Sequence, residues 1–248
     1  MRILLLDIET SPNLAYVWGL WQQNVAINQL VAPTEILSWA AKWYGEDEIF
    51  FDSTERKSTK RMLRKMHKLL NEADAVVHYN GIRFDIPHLN REFIVHGYAP
   101  PSPFKQIDLL RTAKGQFKFP SNKLDYVSNA LGVGSKLKHQ GFDLWTACMA
   151  GDAEAWETMR AYNIQDVLLL EKVYVKLIPW IKGHANHSLF ADGTKAVCPN
   201  CGGHHLQKRG KYKTLASVFQ RFQCQDCGAW SKDNIRINRK EYKTTEAR

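Results

Sequence analysis

The sequence has no apolar stretch as long as the roughly 20 residues that a membrane-spanning helix requires. The run that opens the chain, Ile3 to Leu6, meets Asp7 at once and is too short for the apolar region of a signal peptide. These absences predict a cytoplasmic protein that neither spans a membrane nor is secreted. Internal repeats and low-complexity tracts are also absent, which argues against solenoid and fibrous architectures.

Cysteine is scarce, with five residues in 248, and four of them form two Cys-x-x-Cys pairs near the C-terminus. In an intracellular protein such pairs indicate a bound metal rather than disulfides. With 44% hydrophobic and 24% charged residues the chain has the composition of an ordinary globular protein. Its length suits one large domain with a sizeable core and a small appendage.

The chain has fewer acidic than basic residues, with 25 Asp and Glu compared with 34 Lys and Arg. The net charge of +9 and the pI of about 9.3 favour a polyanionic partner such as nucleic acid. A basic protein that is merely kept soluble by its charge remains an alternative on this observation alone.

The hydrophobic pattern predicts an α/β domain with a mixed β-sheet. Apolar runs indicate strands early in the chain, including one over residues 14–21, and strands alternate with helices after residue 54. The longest helix is capped by Asp152 and runs to about Pro179. The predicted organisation is a domain at 1–181, a linker at 182–195, a small cysteine module at 196–236 and a polar tail at 237–248.

Asp7 and Glu9 end the first predicted strand and are two residues apart, so both carboxylates project from the same face. Two like charges on a buried strand repel each other and lose hydration, which raises their pKa values. A divalent cation between them removes both penalties, and Mg²⁺ prefers such oxygen ligands. The alternative is a strand that runs into a solvated turn, where acidic residues are ordinary.

Three further residues carry candidate chemistry. Asp85 follows a predicted buried strand and precedes Ile-Pro, so it is either a site residue or the N-cap of a helix. Tyr162 and Asp166 are four residues apart in the long helix and share one face. Taken singly, this pair is equally consistent with a tyrosine at the core edge and a surface acid. Asp108 ends another predicted strand, and it is either an acid that supports the site or a residue of a solvated strand end. His78 is predicted to be a buried strand residue.

In combination, these motifs resemble those of the DEDD superfamily of 3′–5′ exonucleases, which share an RNase H-like fold. Asp7-Ile-Glu9-Thr10 resembles the first motif, Asn80 through Phe84-Asp85 the second, and Tyr162-x-x-x-Asp166 the third in its tyrosine variant. The segment from Ser121 to Lys136 is similar to the exonuclease domain of family-B DNA polymerases. The resemblance covers about residues 1–180 and depends on all three motifs occurring in order.

The resemblance implies that four acids hold two Mg²⁺ or Mn²⁺ ions around the scissile phosphate: Asp7, Glu9, Asp85 and Asp166. It gives Tyr162 the role of orienting the attacking water, and an ordinary tyrosine pKa near 10 makes this side chain a poor base at neutral pH. It also places Thr10 and Asn80 near the terminal nucleotide.

The expected activity is metal-dependent hydrolysis from 3′ ends, with release of nucleoside 5′-monophosphates. Single-stranded or frayed DNA is the preferred substrate, because the resemblance is to polymerase proofreading domains, and replication or repair proteins are candidate partners. Three alternatives stay open: a 3′–5′ exoribonuclease, a catalytically inactive nucleic-acid-binding module and a structure-specific endonuclease. The intact set of acids and the tyrosine argue against the last two.

The cysteine pairs, Cys198 with Cys201 and Cys224 with Cys227, predict one tetrahedral site of four thiolates. Their spacing resembles that of a zinc ribbon and predicts one structural Zn²⁺, with a rubredoxin-like iron site as the alternative. Cys148 is predicted to be a small buried residue. Basic and aromatic residues are interleaved between the pairs, which favours binding of single-stranded nucleic acid over a purely structural role, while a contact with another protein stays open as an alternative. The interleaved residues are Lys208, Arg209, Lys211, Tyr212, Lys213, Phe219, Arg221 and Phe222.

Overall fold

The structure is a computed structural model that describes residues 1–138, 140–191, 196–238 and 244. It divides into two compact units, Arg2–Tyr174 and Val175–Arg248, and the second unit also includes Met1. Residues 192–195 of the predicted linker, and the predicted polar tail apart from 237, 238 and 244, lie outside the described residues. The four-part division of the chain therefore stays a prediction.

The first unit is an α/β fold whose last helix continues into the second unit. Its elements are β1 (Ile3–Thr10), β2 (Leu14–Ala15), β3 (Leu30–Ala32), β4 (Ile36–Trp43), β5 (Ile49–Ser53), α1 (Thr59–Glu72), β6 (Ala75–His78), α2 (Asp85–Val95), β7 (Lys105–Asp108), α3 (Leu109–Gln116), α4 (Leu124–Ala130), α5 (Phe142–Met149) and α6 (Ala153–Leu177).

Five strands form the main sheet, in the order β5-β4-β1-β6-β7. β1 pairs antiparallel with β4 and parallel with β6, and β6 is parallel to β7, so the sheet is mixed as predicted. β1 lies at the centre because Ile3 to Leu6 have no polar side chain to solvate. On one face of β1, Leu4, Leu6 and Ile8 join the main hydrophobic core. The alternate positions on the other face include Asp7 and Glu9.

The sequence periodicity accounts for α1 and α6. In α1, five apolar residues at helical spacing are buried, and the lysines and arginines of the helix are exposed to solvent. The basic face of α1 is therefore a solvated surface. Helix α6 begins after Asp152, whose Oδ1 accepts hydrogen bonds from the backbone N–H groups of Glu154 (2.9 Å) and Ala155 (3.0 Å).

Two local predictions were wrong. The predicted strand over 14–21 is reduced to the two residues of β2, because the following aromatic residues are exposed rather than packed on the sheet. Helices α3 and α5 had not been predicted, since each is only eight residues long and has weak apolar periodicity. Within the described residues, none of the helices combines the length and the apolar character needed to cross a membrane.

The second unit contains a three-stranded antiparallel sheet in the order β10-β9-β8. Its strands are β8 (Leu206–Lys213), β9 (Val218–Cys224) and β10 (Trp230–Arg236). The small core of this unit consists of the cysteines with Leu206 and Ala229. So few apolar residues supply little stability, which is typical of a module held together by a metal.

Candidate active site and metal centres

The carboxyl ends of β1, β6 and β7 meet at one edge of the sheet because the three strands are parallel. The last four residues of β1 include Asp7 and Glu9, the loop after β6 leads to Asp85, and β7 ends at Asp108. Acidic residues that are up to 101 positions apart in the chain are thus brought to the same edge. Binding sites of α/β proteins lie preferentially at such an edge.

Three carboxylates converge there. Asp7, Glu9 and Asp166 each offer an oxygen atom, and the three atoms lie within 4.8 Å of one another. Asp166 comes from α6 and is 1% exposed, so it is not the surface acid that the sequence left open. A group of hard oxygen donors at this separation suits a divalent cation such as Mg²⁺ or Mn²⁺.

Asp85 lies beside this group but is not one of the three converging carboxylates. Its Oδ1 accepts a hydrogen bond from the backbone N–H of Ile8 (3.1 Å), between the two acids of β1. The side chain is 2% exposed, and Asp85 is the first residue of α2 rather than its N-cap, which is Phe84. Its charge is close enough to raise the pKa of Asp7.

Asn163 fixes the position of Asp7, and sequence reasoning had given it no role. This buried residue of α6 donates from Nδ2 to Asp7 Oδ2 (2.9 Å), and its Oδ1 accepts from the hydroxyl of Ser38 (3.1 Å) on β4. A buried amide bonded on both sides holds the carboxylate in one orientation. Its place beside Tyr162 was the only available signal, because polar residues within helices are usually exposed.

Lys136 and Trp145 were also missed. Lys136 Nζ donates to Tyr162 Oη (2.8 Å) and to Asp166 Oδ2 (2.5 Å), and its backbone N–H donates to Asp125 Oδ1 (2.9 Å), which anchors the loop after α4. Trp145 on α5 makes a side-chain hydrogen bond with Glu9, and its ring packs edge-on against Tyr162 at 6.1 Å between ring centroids. Both residues contact the acidic motifs from outside them: Lys136 closes the segment that resembles family-B exonuclease domains, and Trp145 lies on α5.

Burial and mutual repulsion raise the pKa values of the acids. Loss of solvent contact, followed by the charges of Asp85 and Glu9, raises the pKa of Asp7 well above its ordinary value. Burial and then the charge of Asp166 raise the pKa of Glu9 to about 8. Burial raises the pKa of Asp85 to about 7, although the Ile8 hydrogen bond opposes this shift. A bound cation would favour the ionised forms of these side chains.

The raised pKa of Glu9 makes the stability of the Mg²⁺-free protein pH-dependent. An acid with a higher pKa in the folded chain binds protons more tightly there, so stability falls as pH rises from the ordinary pKa of 4.5 to the folded value of about 8. The melting temperature without Mg²⁺ is expected to fall across this window, and added Mg²⁺ to raise it most near pH 8.

Thermal unfolding at several pH values, with and without Mg²⁺, measures this effect. Glu9→Gln cannot ionise and is expected to flatten the fall in melting temperature between pH 5 and 8. A slope equal to that of the unaltered protein would contradict the assignment of the fall to Glu9.

The loop that leads to Asp85 has a constrained backbone. Asn80 has a positive φ of 72°, and its backbone N–H donates to Asp108 Oδ1 (3.0 Å). A Cβ on Gly81 would lie 2.3 Å from Cγ of His78, so only glycine fits there. His78 is fully buried, as predicted, and its Nδ1 accepts the Gly81 N–H (3.1 Å).

Asp108 is a buried capping residue rather than a solvated strand terminus. Besides the bond from Asn80, its Oδ1 accepts from the backbone N–H groups of Leu110 (3.0 Å) and Arg111 (3.4 Å) at the start of α3. Asp108 thereby joins the loop after β6 to the first turn of α3.

The two predicted nucleotide-binding residues lie in different surroundings. Asn80 borders a cavity of about 650 Å³ that also reaches Asp7 and Lys136. Lys114 and Lys123 line the same cavity, so three ammonium groups surround it. Thr10 lies at the end of β1, where the register with β4 shifts between Glu9 and Thr10, and it does not line the cavity.

The four predicted metal-ligand cysteines come together in the second unit. Their sulfur atoms lie within 4.8 Å of one another, with Sγ–Sγ distances of 3.7 Å for both Cys198–Cys227 and Cys201–Cys224. A tetrahedral zinc with Zn–S bonds of about 2.3 Å places its sulfurs about 3.8 Å apart. The group therefore has the dimensions of a four-thiolate metal site, and Cys148 is a separate buried thiol.

Comparison with known proteins agrees with this architecture. A family model described as the RNase_H superfamily matches residues 4–178. A family B DNA polymerase from the hyperthermophilic archaeon Pyrobaculum calidifontis is similar in structure, with a TM-score of 0.55 and 18% sequence identity. The match covers 72% of this chain and 24% of the polymerase chain. A search of curated proteins finds no significant match.

The chain belongs to the RNase_H superfamily. The predicted RNase H-like fold and its resemblance to a family B DNA polymerase are both confirmed. Membership in the superfamily supports a role in the enzymatic hydrolysis of nucleic acid. The acidic cluster and the four-cysteine group are both compatible with bound metal.

Proposed function

We propose that the protein is a metal-dependent 3′–5′ exonuclease that removes nucleoside 5′-monophosphates from single-stranded or frayed DNA. One observation carries the proposal: three converging carboxylates and Tyr162 lie at the carboxyl edge of an RNase H-type sheet. The order of the motifs resembles that of the tyrosine-containing DEDD exonucleases, and this resemblance supports the direction of cleavage.

The donor set fits two Mg²⁺ or Mn²⁺ ions. We assign them to Asp7, Glu9 and Asp166, with Asp85 alongside. Burial together with charge repulsion raises the pKa of Asp7 and of Glu9, and burial raises that of Asp85, so these three acids disfavour ionisation without a cation. When bound, such ions lower the pKa of a coordinated water and neutralise charge on the scissile phosphate.

Two other side chains of the site, Tyr162 and Lys136, orient the attacking water and stabilise charge on the phosphate. Burial and the charge of Asp166 raise the pKa of Tyr162 above its ordinary value, so its hydroxyl stays protonated and orients a water molecule rather than accepting a proton. Burial alone would lower the pKa of Lys136, but Asp166 and Tyr162 raise it, so its ammonium stays charged. This charge is placed to stabilise a phosphate oxygen next to the acids.

The cavity beside the acids supports attack on a chain end. Its volume of about 650 Å³ is in the range typical of small-molecule sites, which is consistent with one terminal nucleotide. The ammonium groups of Lys114 and Lys123 are placed to pair with phosphates, and such contacts are independent of base sequence. We assign Asn80 to the terminal nucleotide on the same grounds, and Thr10 on the resemblance alone.

The four cysteines are proposed to bind one structural Zn²⁺. The sulfur spacing fits tetrahedral coordination, and four thiolates select zinc over harder cations. A site with all four positions filled by protein has no room for a substrate, so its role is to stabilise the small unit around it.

The test is a time course on a 5′-labelled DNA strand with Mg²⁺ or Mn²⁺. The proposal predicts a ladder that shortens from the 3′ end, mononucleotide products, and no cleavage when the metal is withheld. A 3′-phosphorothioate strand is expected to be cut slowly, and a closed single-stranded circle not at all, because neither offers an ordinary 3′ end.

An RNA strand of the same sequence and a DNA duplex serve as comparison substrates. Preferred degradation of RNA would replace the DNA assignment with an exoribonuclease, since both reactions need the same metals. Nicking of the circle would overturn the exonuclease proposal in favour of an endonuclease.

A further inference from the structure

The three-stranded sheet of the second unit has two chemically different faces. Residues directly opposite each other on paired strands lie on the same face, and alternate residues along a strand lie on opposite faces. β9 carries Phe219, Arg221 and Gln223 on one face, where they pair with Tyr212, Lys232 and Trp230. Arg236 also pairs with Phe219. We call these residues the aromatic face: Tyr212, Phe219, Arg221, Gln223, Trp230, Lys232 and Arg236.

The opposite face is directed towards the metal site. It contains Leu206, Phe222 and Cys224, and Leu206 packs against the cysteine cluster. The same pairing also places Lys208, Lys211 and Lys213 on this face. In the part of this unit that the structure describes, two rings of the aromatic face are exposed to solvent, Tyr212 at 44% and Trp230 at 51%. Large rings that project from the exposed side of a metal-stabilised sheet do not contribute to its core. Their position therefore points to a bound partner.

Positive charge accompanies the rings. The Arg221 guanidinium lies 4.8 Å from the centroid of the Trp230 ring, and Lys232 Nζ lies 4.0 Å from that of Phe219. The pairing places no acidic side chain on this face among the residues that the structure describes. The surface thus combines flat apolar rings with cations, and its charge is complementary to that of a polyanion.

We propose that the aromatic face binds single-stranded nucleic acid, at a surface distinct from the acidic cluster. Unpaired bases would stack on Tyr212 and Trp230, while Arg221, Lys232 and Arg236 pair with the phosphates. A duplex is a poor occupant because its bases are already stacked on one another and cannot reach the rings. An apolar protein surface is a poor occupant because it would desolvate the cations without compensating charge.

Binding of a 5′-labelled oligothymidylate to the full chain, followed by fluorescence anisotropy in Mg²⁺-free buffer, tests the proposal. Combined Tyr212→Ala and Trp230→Ala is expected to weaken binding at least about tenfold, since stacking on one ring is worth about 1–3 kcal/mol per base. Tyr212→Phe with Trp230→Phe keeps both rings and is expected to retain most of the affinity. This pair also controls for the folding of the sheet.

An abasic strand of equal length separates stacking from charge. The alanine pair is expected to bind the abasic strand as the unaltered protein does, because no base is present to stack. Arg221→Gln is expected to weaken binding of both the base-containing and the abasic strand. It is also expected to reduce the slope of log affinity against log salt concentration by about 0.7, the value for one phosphate contact on a single strand. The matched control Lys211→Ala removes a positive charge from the opposite face and is expected to leave the affinity for both strands nearly unchanged.

Unchanged affinity of the alanine pair for the base-containing strand would overturn the proposal, as would an equal loss on the abasic strand. Preferred binding of duplex over single strand would overturn it as well. The assay requires no hydrolysis, so a failure of the exonuclease proposal would not affect the binding result. A failure of the binding proposal would likewise leave the exonuclease proposal unaffected.

Discussion

Asp7→Asn and Asp166→Asn are each expected to reduce DNA cleavage at least about a thousandfold while the protein stays folded. Both substitutions conserve shape but remove one of three converging charges, so the remaining carboxylates no longer hold a divalent cation well. In the proposed mechanism, loss of the ion would remove both the activated water and the neutralisation of charge on the phosphate, so the variants are expected to lose the chemical step rather than substrate binding.

Asp7→Asn is also expected to raise the melting temperature of the Mg²⁺-free protein. In that state burial and the charges of Asp85 and Glu9 raise the pKa of Asp7. An uncharged amide at this position therefore relieves the repulsion between the carboxylates. Lower activity with higher stability distinguishes a metal-ligand role from a general folding defect. A structural acid would show the opposite, with activity and stability lost together.

Single-turnover cleavage of the labelled strand and thermal unfolding measure these two effects. Glu157→Gln is the matched control, because Glu157 lies on the same helix as Asp166 and is exposed. It is expected to leave both quantities unchanged. Full activity in either aspartate variant would remove that residue from the proposed site.

Cys224→Ser is expected to abolish binding of the proposed zinc ion and to unfold the small sheet around it. Structural zinc in small cysteine modules contributes on the order of 10 kcal/mol, more than a core of this size supplies. Cys224 also lies on β9 and pairs with Leu206, so loss of the metal exposes the centre of the sheet. The first unit has its own core and is expected to stay folded.

Elemental analysis gives the zinc content, and limited proteolysis reports unfolding at 196–236. Cys148→Ala is the matched control, since Cys148 is buried in a different cluster and is not among the four ligands. It is expected to keep one zinc per chain. Retention of stoichiometric zinc in Cys224→Ser, or the finding of iron in the unaltered protein, would contradict the assignment.

The fold was predictable wherever the pattern was long and contiguous. The apolar run of β1 and the periodicity of α1 specify their own burial, because every residue in them has neighbours on the same face within a few positions. Short elements were not predictable. Helices α3 and α5 are stabilised by capping and by packing against distant strands, and eight residues show too little periodicity to indicate a helix.

The acids of the site were likewise predictable where a local sequence pattern indicates them. Asp7 and Glu9 could be predicted from a strand that would otherwise bury two charges, and Asp166 from its spacing to Tyr162. The contrast within the group could not be predicted. Asp85 hydrogen-bonds to the backbone of β1, whereas the other three carboxylates converge, and that difference arises from the positive-φ turn at Asn80 and the tight packing of Gly81 on His78.

The sequence by itself determined the α/β class of the first unit, the three acidic motifs and the four thiolates, because each is a local pattern of residue types. Only the tertiary structure brought Lys136, Trp145 and Asn163 to those acids from separate elements. It alone also put Lys208 and Lys211 on the same face of the small sheet, where an extra residue in β8 shifts the register between them. Both outcomes depend on contacts between residues far apart in the chain, and a pattern of neighbouring residues carries no information about such contacts.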